Sequence, residues 1–220
     1  DMTLNYVTNF EPIGAGIGFG GPSLHEPPTE YDKHDDPVLP GNTVIEDPAI
    51  SVRDLTKSFG KNTVLEDISI DFPKGAITTV LGPSGTGKSV FLRNVIGLLR
   101  PDRGDVWVGD DNIPTLGRRR LLEVRKKFGV LFQHGALFGS MNMYDNIAFP
   151  LREHTNMSEK EIRQVVMEKL ELVGLEGAID KLPDEVSGGM KKRAGLARAL
   201  VMNPEILLVD EPDSGLDPVR

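Results

Sequence analysis

At 220 residues the chain is long enough for one large domain or two small ones, and 39% apolar with 26% charged residues is an ordinary globular balance. It has no cysteine, which excludes disulfides and thiolate metal centres, and no apolar run near the ~20 residues of a membrane span. The net charge of −8 sits in residues 1–49, where nine acidic groups face Lys33 alone; the remaining 24 acidic and 24 basic groups balance, which argues against a nucleic-acid-binding domain.

Residues 1–48 hold seven prolines and six glycines with few periodic apolar positions, and read as a disordered or irregular acidic arm. Within them Gly16-x-Gly18-x-x-Gly21 matches a dinucleotide fingerprint, but no strand precedes it and Pro22 with Pro27 and Pro28 forbids the helix that should follow. His25 and His34 lie among acidic residues and read as solvated histidines rather than a metal site. The chain starts at Asp1 and stops at Arg220 soon after an apolar strand, a pattern expected of a fragment or a processed form.

From Ile50 the patterning changes. Residues 50–55, 64–70 and 76–81 read as strands, with a polar turn over 60–63. The apolar β-branched run 77–81 predicts a strand buried on both faces. It leads into Gly82-x-x-x-x-Gly87-Lys88-Ser89, and then into an apolar helix over 90–99. Strand, glycine turn and helix give that motif its meaning: Gly82, Gly85 and Gly87 let backbone N–H groups curl around phosphate oxygens. The helix start adds partial positive charge, Lys88 can neutralise phosphate, and the Ser89 hydroxyl can hold Mg²⁺.

A short strand is expected over 105–108 and a helix over 115–127. That helix interleaves Leu116, Leu121, Leu122 and Val124 with the basic triplets 118–120 and 125–127. With no aromatic platform beside them, those charges read as a solvated helix face. Residues 128–132 form a strand, followed by Gln133 and a loop, 134–155, rich in Gly, Met and Asn. Ser158 with Glu161 makes a capping box for a helix striped by Ile162, Val165, Val166, Leu170 and Val173 and ended by Gly174.

Ser187 is placed to N-cap a helix running to about residue 201, leaving the Gly188 and Gly189 amides bare. Lys191, Lys192 and Arg193 oppose that helix dipole, which costs stability unless an anion sits near. The last stretch, 206–212, is expected to be a buried strand that delivers Asp210 and Glu211 to its C-terminal edge, where doubly wound sheets keep ligands. Asp210 fits a Mg²⁺ ligand opposite Ser89, and Glu211 a group that orients or deprotonates water.

Taken together, the phosphate loop, the Gln133 loop, Ser187-Gly188-Gly189 and Asp210-Glu211 stand in the order of ABC transporter nucleotide-binding domains, which the chain resembles over residues 50–220. Residues 213–217 resemble that family's D-loop. The stretches 130–138 and 141–155, with Met190 where the signature usually has Gln, are similar to the ATPase subunits of Mla- and Mce-type lipid importers.

The resemblance implies an α/β P-loop NTPase of ABC type: a RecA-like parallel core sheet, an antiparallel β subdomain and a helical signature subdomain at about 138–200. ATP and Mg²⁺ would be its ligands. Phe59 would stack on adenine, and Pro83, Ser84, Thr86 and Val90 would complete the phosphate loop. Ser187, Gly188, Gly189 and Asp217 of a second copy would close over the nucleotide. Glu211, Lys88 and Gln133 would carry catalysis, with Ser89, Gln133 and Asp210 around the metal. It also implies integral-membrane permease subunits docking on 134–155, Mce-type substrate-binding partners, lipid or sterol import, and a peripheral place on the cytoplasmic face of the plasma membrane. No nucleic acid is expected; the alternative is a soluble ABC ATPase of translation or DNA maintenance. Val186 replaces the family's usual Leu. The switch histidine and its strand are absent, so the sheet is expected to be C-terminally incomplete and this stretch inactive alone; His134 and His154 do not fill that role.

Overall fold

The computed structural model describes residues 47–80, 82–83, 85–132 and 135–210. The acidic arm over 1–46, Leu81, Ser84, Gln133, His134 and residues 211–220 lie outside them.

β1 (Ile50–Phe59) and β2 (Asn62–Phe72) form a hairpin whose turn uses the left-handed Gly60, and β3 (Arg103–Val108) and β4 (Asp111–Asn112) extend it into an antiparallel sheet of order β2-β1-β3-β4. Ile50 faces Phe72 on one side and Val108 on the other, so its face of β1 is apolar between two partners. That face carries Ile50, Val52 and Leu55, buried with Leu65, Ile70, Val106 and Val108 against Phe91 and Val95 of α1 (Lys88–Val95). The first core is thus the antiparallel sheet plus the helix that follows the phosphate loop.

A short turn at Ile113–Thr115, where Pro114 sits, precedes α2 (Arg118–Arg125), so the expected continuous helix over 115–127 is split; Gly117 stands at the break. The basic triplets around α2 are only in part a solvated face. Arg120 forks onto Asp111 at 2.7 and 2.8 Å and holds that carboxyl below the usual carboxylate range. Arg125 donates to the carbonyls of Ile96 and Gly97 at 3.0 and 2.7 Å, so it caps the end of α1, while Arg118 and Arg119 are exposed. That end comes early: α1 stops at Val95 rather than near 99 because Gly97 turns left-handed.

β5 (Phe128–Leu131) and β6 (Ile206–Val209) pair in parallel, and the chain between them builds a second core. It contains α3 (Met143–His154), α4 (Glu159–Leu172) and α5 (Gly188–Leu200). Met143, Ile147, Leu151, Ile162, Val166, Leu170, Ala194 and Ala197 pack together there. The capping box of Ser158 and Glu161 is present, and the helix behind it turns off at the left-handed Gly174. Arg152 of α3 pairs with Asp145 in its own helix at 2.8 Å and ties α3 to α4 through Glu159 at 2.9 Å, which lowers the Glu159 pKa.

Three expectations are corrected. Residues 134–155 are not all loop: Asn142 accepts from the Asp145 amide and caps α3, which runs on through Pro150. Residues 76–80 pair with no described strand, and Ile77 is 67% exposed, because an apolar β-branched run becomes a strand only where a neighbour completes its ladder. β6 is not buried on both faces; Leu207 is 41% and Val209 36% exposed.

Candidate functional site

The glycine loop is shaped by what surrounds it. Gly87 has φ +95, and a Cβ there would lie 2.8 Å from Val64 Cγ1 and 3.2 Å from the Val64 carbonyl oxygen, so glycine is required on both counts. It is also the N-cap of α1 and offers no side chain to the first-turn amides, which are left to an outside acceptor. Thr86 Oγ1 donates to the Pro83 carbonyl at 2.9 Å and closes the loop on itself. Lys88 Nζ donates to the carbonyls of Gly82 at 2.6 Å and Pro83 at 2.9 Å, so an ammonium rests on two neutral acceptors beside a bare helix start. Ser84 lies outside the described residues.

Opposite stands Asp210. Its amide donates to the Leu131 carbonyl at 2.9 Å, one step beyond the β5–β6 ladder, which fixes its backbone at the strand edge. Its Oδ1 accepts from Ser89 Oγ at 3.1 Å, joining residues 121 apart in sequence. A hydroxyl and a carboxylate oxygen meeting beside a phosphate-type loop are hard donors of the kind Mg²⁺ takes. Val90 lies in the first turn of the same helix, its carbonyl accepting from Asn94 Nδ2 at 2.8 Å.

Phe59 ends β1 in the hairpin whose second strand touches Gly87; its ring is 48% exposed, with Lys57 Nζ 5.6 Å from the centroid. Such a ring can stack on a flat base. At the other helix start, Ser187 Oγ accepts from the Met190 amide at 3.2 Å, so the expected N-cap is present. A Cβ on Gly188 would meet nothing within 4 Å, and one on Gly189 only the Ser187 hydroxyl at 4.0 Å, leaving an open face over the first-turn amides. The charge behind them is answered differently than expected. Arg193 donates to Val173 and Gly174 carbonyls at 2.7 and 3.1 Å and caps the end of α4, and Lys191 lies 3.4 Å from exposed Asp184. The anion that this basic run was expected to need is therefore not required on Arg193's account.

The structure brings together the phosphate loop, Ser89 and Asp210; Gln133, Glu211 and Asp217 lie outside the described residues. Two residues that sequence reasoning missed, Asn146 and Arg198, hold the segment just after Gln133. A lone Asn or Arg inside a helical pattern carries no local signal of which distant carbonyl it will bind.

A glycine-lined helix start with a lysine at its mouth, faced by a strand-end aspartate bonded to its serine, defines a P-loop nucleotide-binding fold. The ABC transporter family model matches residues 65–214, and the chain belongs to that family, whose members bind nucleotide. The chain is 63% identical over 172 residues to the probable ribonucleotide transport ATP-binding protein mkl of Mycobacterium leprae, covering 78% of this chain and 50% of that one. It is 45% identical over 170 residues to the intermembrane phospholipid transport system ATP-binding protein MlaF of Escherichia coli K12, covering 77% and 63%. Among solved structures, the dimeric post-hydrolysis state of the ATP-binding cassette MJ0796 bound to ADP and Pi matches with a TM-score of 0.71 at 30% identity, over 76% of each chain. The chain spans about half the length of the first of these relatives. The fold is therefore the ABC-type α/β cassette, with its antiparallel sheet, parallel pair and helical signature region.

Proposed function

We propose that this chain is the ATP-hydrolysing subunit of a membrane ABC transporter, driving lipid or sterol import with Mce-type proteins. The observation that carries this reading is the Ser89–Asp210 hydrogen bond, 3.1 Å across 121 residues, at the foot of the glycine loop. It sets the two metal-side groups beside the phosphate-side helix start. Bound there, Mg²⁺ would absorb charge from the β- and γ-phosphates. Lys88 would exchange its two carbonyl partners for phosphate oxygens, a gain in charge-assisted bonding. Phe59 would cover the adenine, and Gly82, Pro83, Ser84, Gly85, Thr86, Gly87, Ser89 and Val90 would surround the phosphates. Catalysis would be positioning and electrostatics, with Glu211 orienting water and Gln133 reporting occupancy.

The open amides of Gly188 and Gly189 support a head-to-tail dimer in which Ser187, Gly188, Gly189 and Asp217 of one copy close on the nucleotide of the other. The solved MJ0796 cassette is itself dimeric. Permease subunits would dock on residues 134–155, now seen to include α3, at the cytoplasmic face of the plasma membrane. No described helix is long and apolar enough to cross a membrane, so attachment through such subunits is consistent. We carry the division into an acidic arm over 1–48, a cassette from 49 and a helical subdomain at about 138–200 as part of this reading. The phospholipid system named for MlaF favours lipid cargo. A second reading, ribonucleotide cargo, is favoured by the name of the 63% relative.

In the full-length protein with its permease, Glu211→Gln should abolish turnover and keep ATP-dependent dimerisation. Lys88→Ala should weaken nucleotide binding about 10- to 100-fold, the size of a lost charge-assisted contact to phosphate. Unchanged nucleotide affinity in Lys88→Ala sinks the reading. ATP-dependent movement of labelled phospholipid, but not of labelled ribonucleotide, in reconstituted vesicles decides the cargo.

A further inference from the structure

The segment after Gln133 is gripped from two sides. Buried Gly135 lies so close to α5 that a Cβ on it would come 2.8 Å from the Lys191 carbonyl oxygen, and a Cβ on Gly195 would come 2.8 Å from Gly135 Cα. Arg198, three residues further along α5, reaches back over the same contact. Its two terminal nitrogens donate to the carbonyls of Gly135 and Ala136, each at 2.9 Å, and its guanidinium stands 5.8 Å from the Phe138 ring centroid. From the other side fully buried Asn146 of α3 accepts from the Phe138 amide at 2.7 Å and donates to the Phe138 and Met141 carbonyls at 3.1 and 2.9 Å.

Arg198 is half-buried, and among the described residues no carboxylate lies within ion-pair range of it. Burial pulls its pKa below the ordinary guanidinium value. Its charge is answered by two peptide dipoles and one aromatic face, all from residues 135–138. A solvated surface arginine has no reason to spend both nitrogens on consecutive carbonyls of one turn. α5, which carries Arg198, is the helix whose first turn presents Ser187, Gly188 and Gly189.

We propose that Arg198 is a positioning residue that ties the segment following Gln133 to the helix starting at Ser187, so that the two move as one body. Occupancy sensed at Gln133 is thereby delivered to the helix start that faces the second copy. The inference rests on the nucleotide reading above and adds the part that links its two halves.

The test is hydrogen exchange on the full-length protein, with and without ATP and Mg²⁺, in the unaltered chain, Arg198→Gln and Arg198→Lys. In the unaltered chain nucleotide should slow exchange at residues 85–90 and alter it together at 136–138 and 188–190. Arg198→Gln should raise exchange at 136–138 about tenfold without nucleotide, the loss of roughly two ordinary hydrogen bonds, and should lose the response at 188–190. ATP affinity should stay within about twofold while kcat falls about tenfold, since a linkage rather than a binding contact is removed. Arg198→Lys, with one nitrogen for two acceptors, should fall between. A joint response persisting in Arg198→Gln, or a fall in kcat matched by loss of folded protein and uniformly faster exchange, overturns the linkage while the nucleotide reading stands. No protection at 85–90 in the unaltered chain brings down the nucleotide reading, and the linkage with it.

Discussion

The parallel strands and the three helices between them are one stretch of chain, yet they bury their apolar residues to opposite degrees. In the helical part Met143, Ile147, Val166 and Leu170 are closed off by side chains from the same three helices. At the parallel pair, Ile206 and Leu208 pack inward on the first core while Leu207 and Val209 face out, and Ile77 before the phosphate loop is more exposed still. Helices that pack on one another complete their own core. A parallel sheet is completed only by cover on both faces; here α5 covers the outward face at Gly129 and Leu131 of β5 but leaves Leu207 and Val209 beside them on β6 part-exposed. The parallel pair is thus the less covered part, and Asp210 stands at its edge.

That contrast is sharpened most by Ile147→Ala. Ile147 is fully buried at the meeting of α3 with its neighbours, and deleting its side chain should cost about 3 kcal/mol in denaturant unfolding, transfer and cavity together. A cost under ~1 kcal/mol would mean the helical core is loose and the comparison is wrong. Gly195→Ala comes next, and here two effects compete. Alanine gains up to ~1 kcal/mol of helix propensity, but its Cβ would stand 2.8 Å from Gly135 Cα and 3.0 Å from Leu131 Cδ1, and overpacking against backbone costs roughly 1–3 kcal/mol. The clash should win, by ~1–2 kcal/mol in the same measurement; a stabilised protein would mean that α5 and the segment at Gly135 part easily. Smaller again is Ser187→Ala, which removes the acceptor of the Met190 amide and should cost ~1 kcal/mol. No loss there would mean that the first turn of α5 is already frayed.

How much of this was legible in the sequence follows from how local each signal is. The phosphate loop, the β1–β2 hairpin, the capping box at Ser158 and the Ser187 cap are written within a few residues, and all appear where the pattern places them. The strand expected over 76–81 depended on a neighbour to pair with, which no local pattern supplies. The loop expected over 134–155 was read from Gly, Met and Asn; Asn142 served instead as a cap, and α3 runs on through Pro150. The arginines were the least legible. Arg125, Arg193 and Arg198 each bind carbonyls at a helix end or turn at least 19 residues away: Arg125 was read as part of a solvated face, Arg193 as part of a run needing an anion, and Arg198 was not read at all. Of the site itself, sequence alone paired Ser89 with Asp210, because a serine after the loop lysine and an acid at a strand edge have one arrangement in a doubly wound sheet.

The smallest expected effect bears hardest on the contrast. Leu207→Ser replaces an apolar side chain on the outward face of β6, where two-fifths of its surface already meets solvent. If that face is open, little apolar area returns to water on unfolding, and the change should stay within ~0.5 kcal/mol of zero, as for surface positions generally. The same substitution at Leu208, whose side chain packs on the first core, should cost several times more. The pair of measurements is thus internally controlled: same strand, same residue type, same chemical change, opposite faces. Equal costs at 207 and 208 would mean that both faces of the strand are covered in solution. The parallel pair would then be as closed as the helical core, and Asp210 would stand on a strand edge no softer than the rest of the protein.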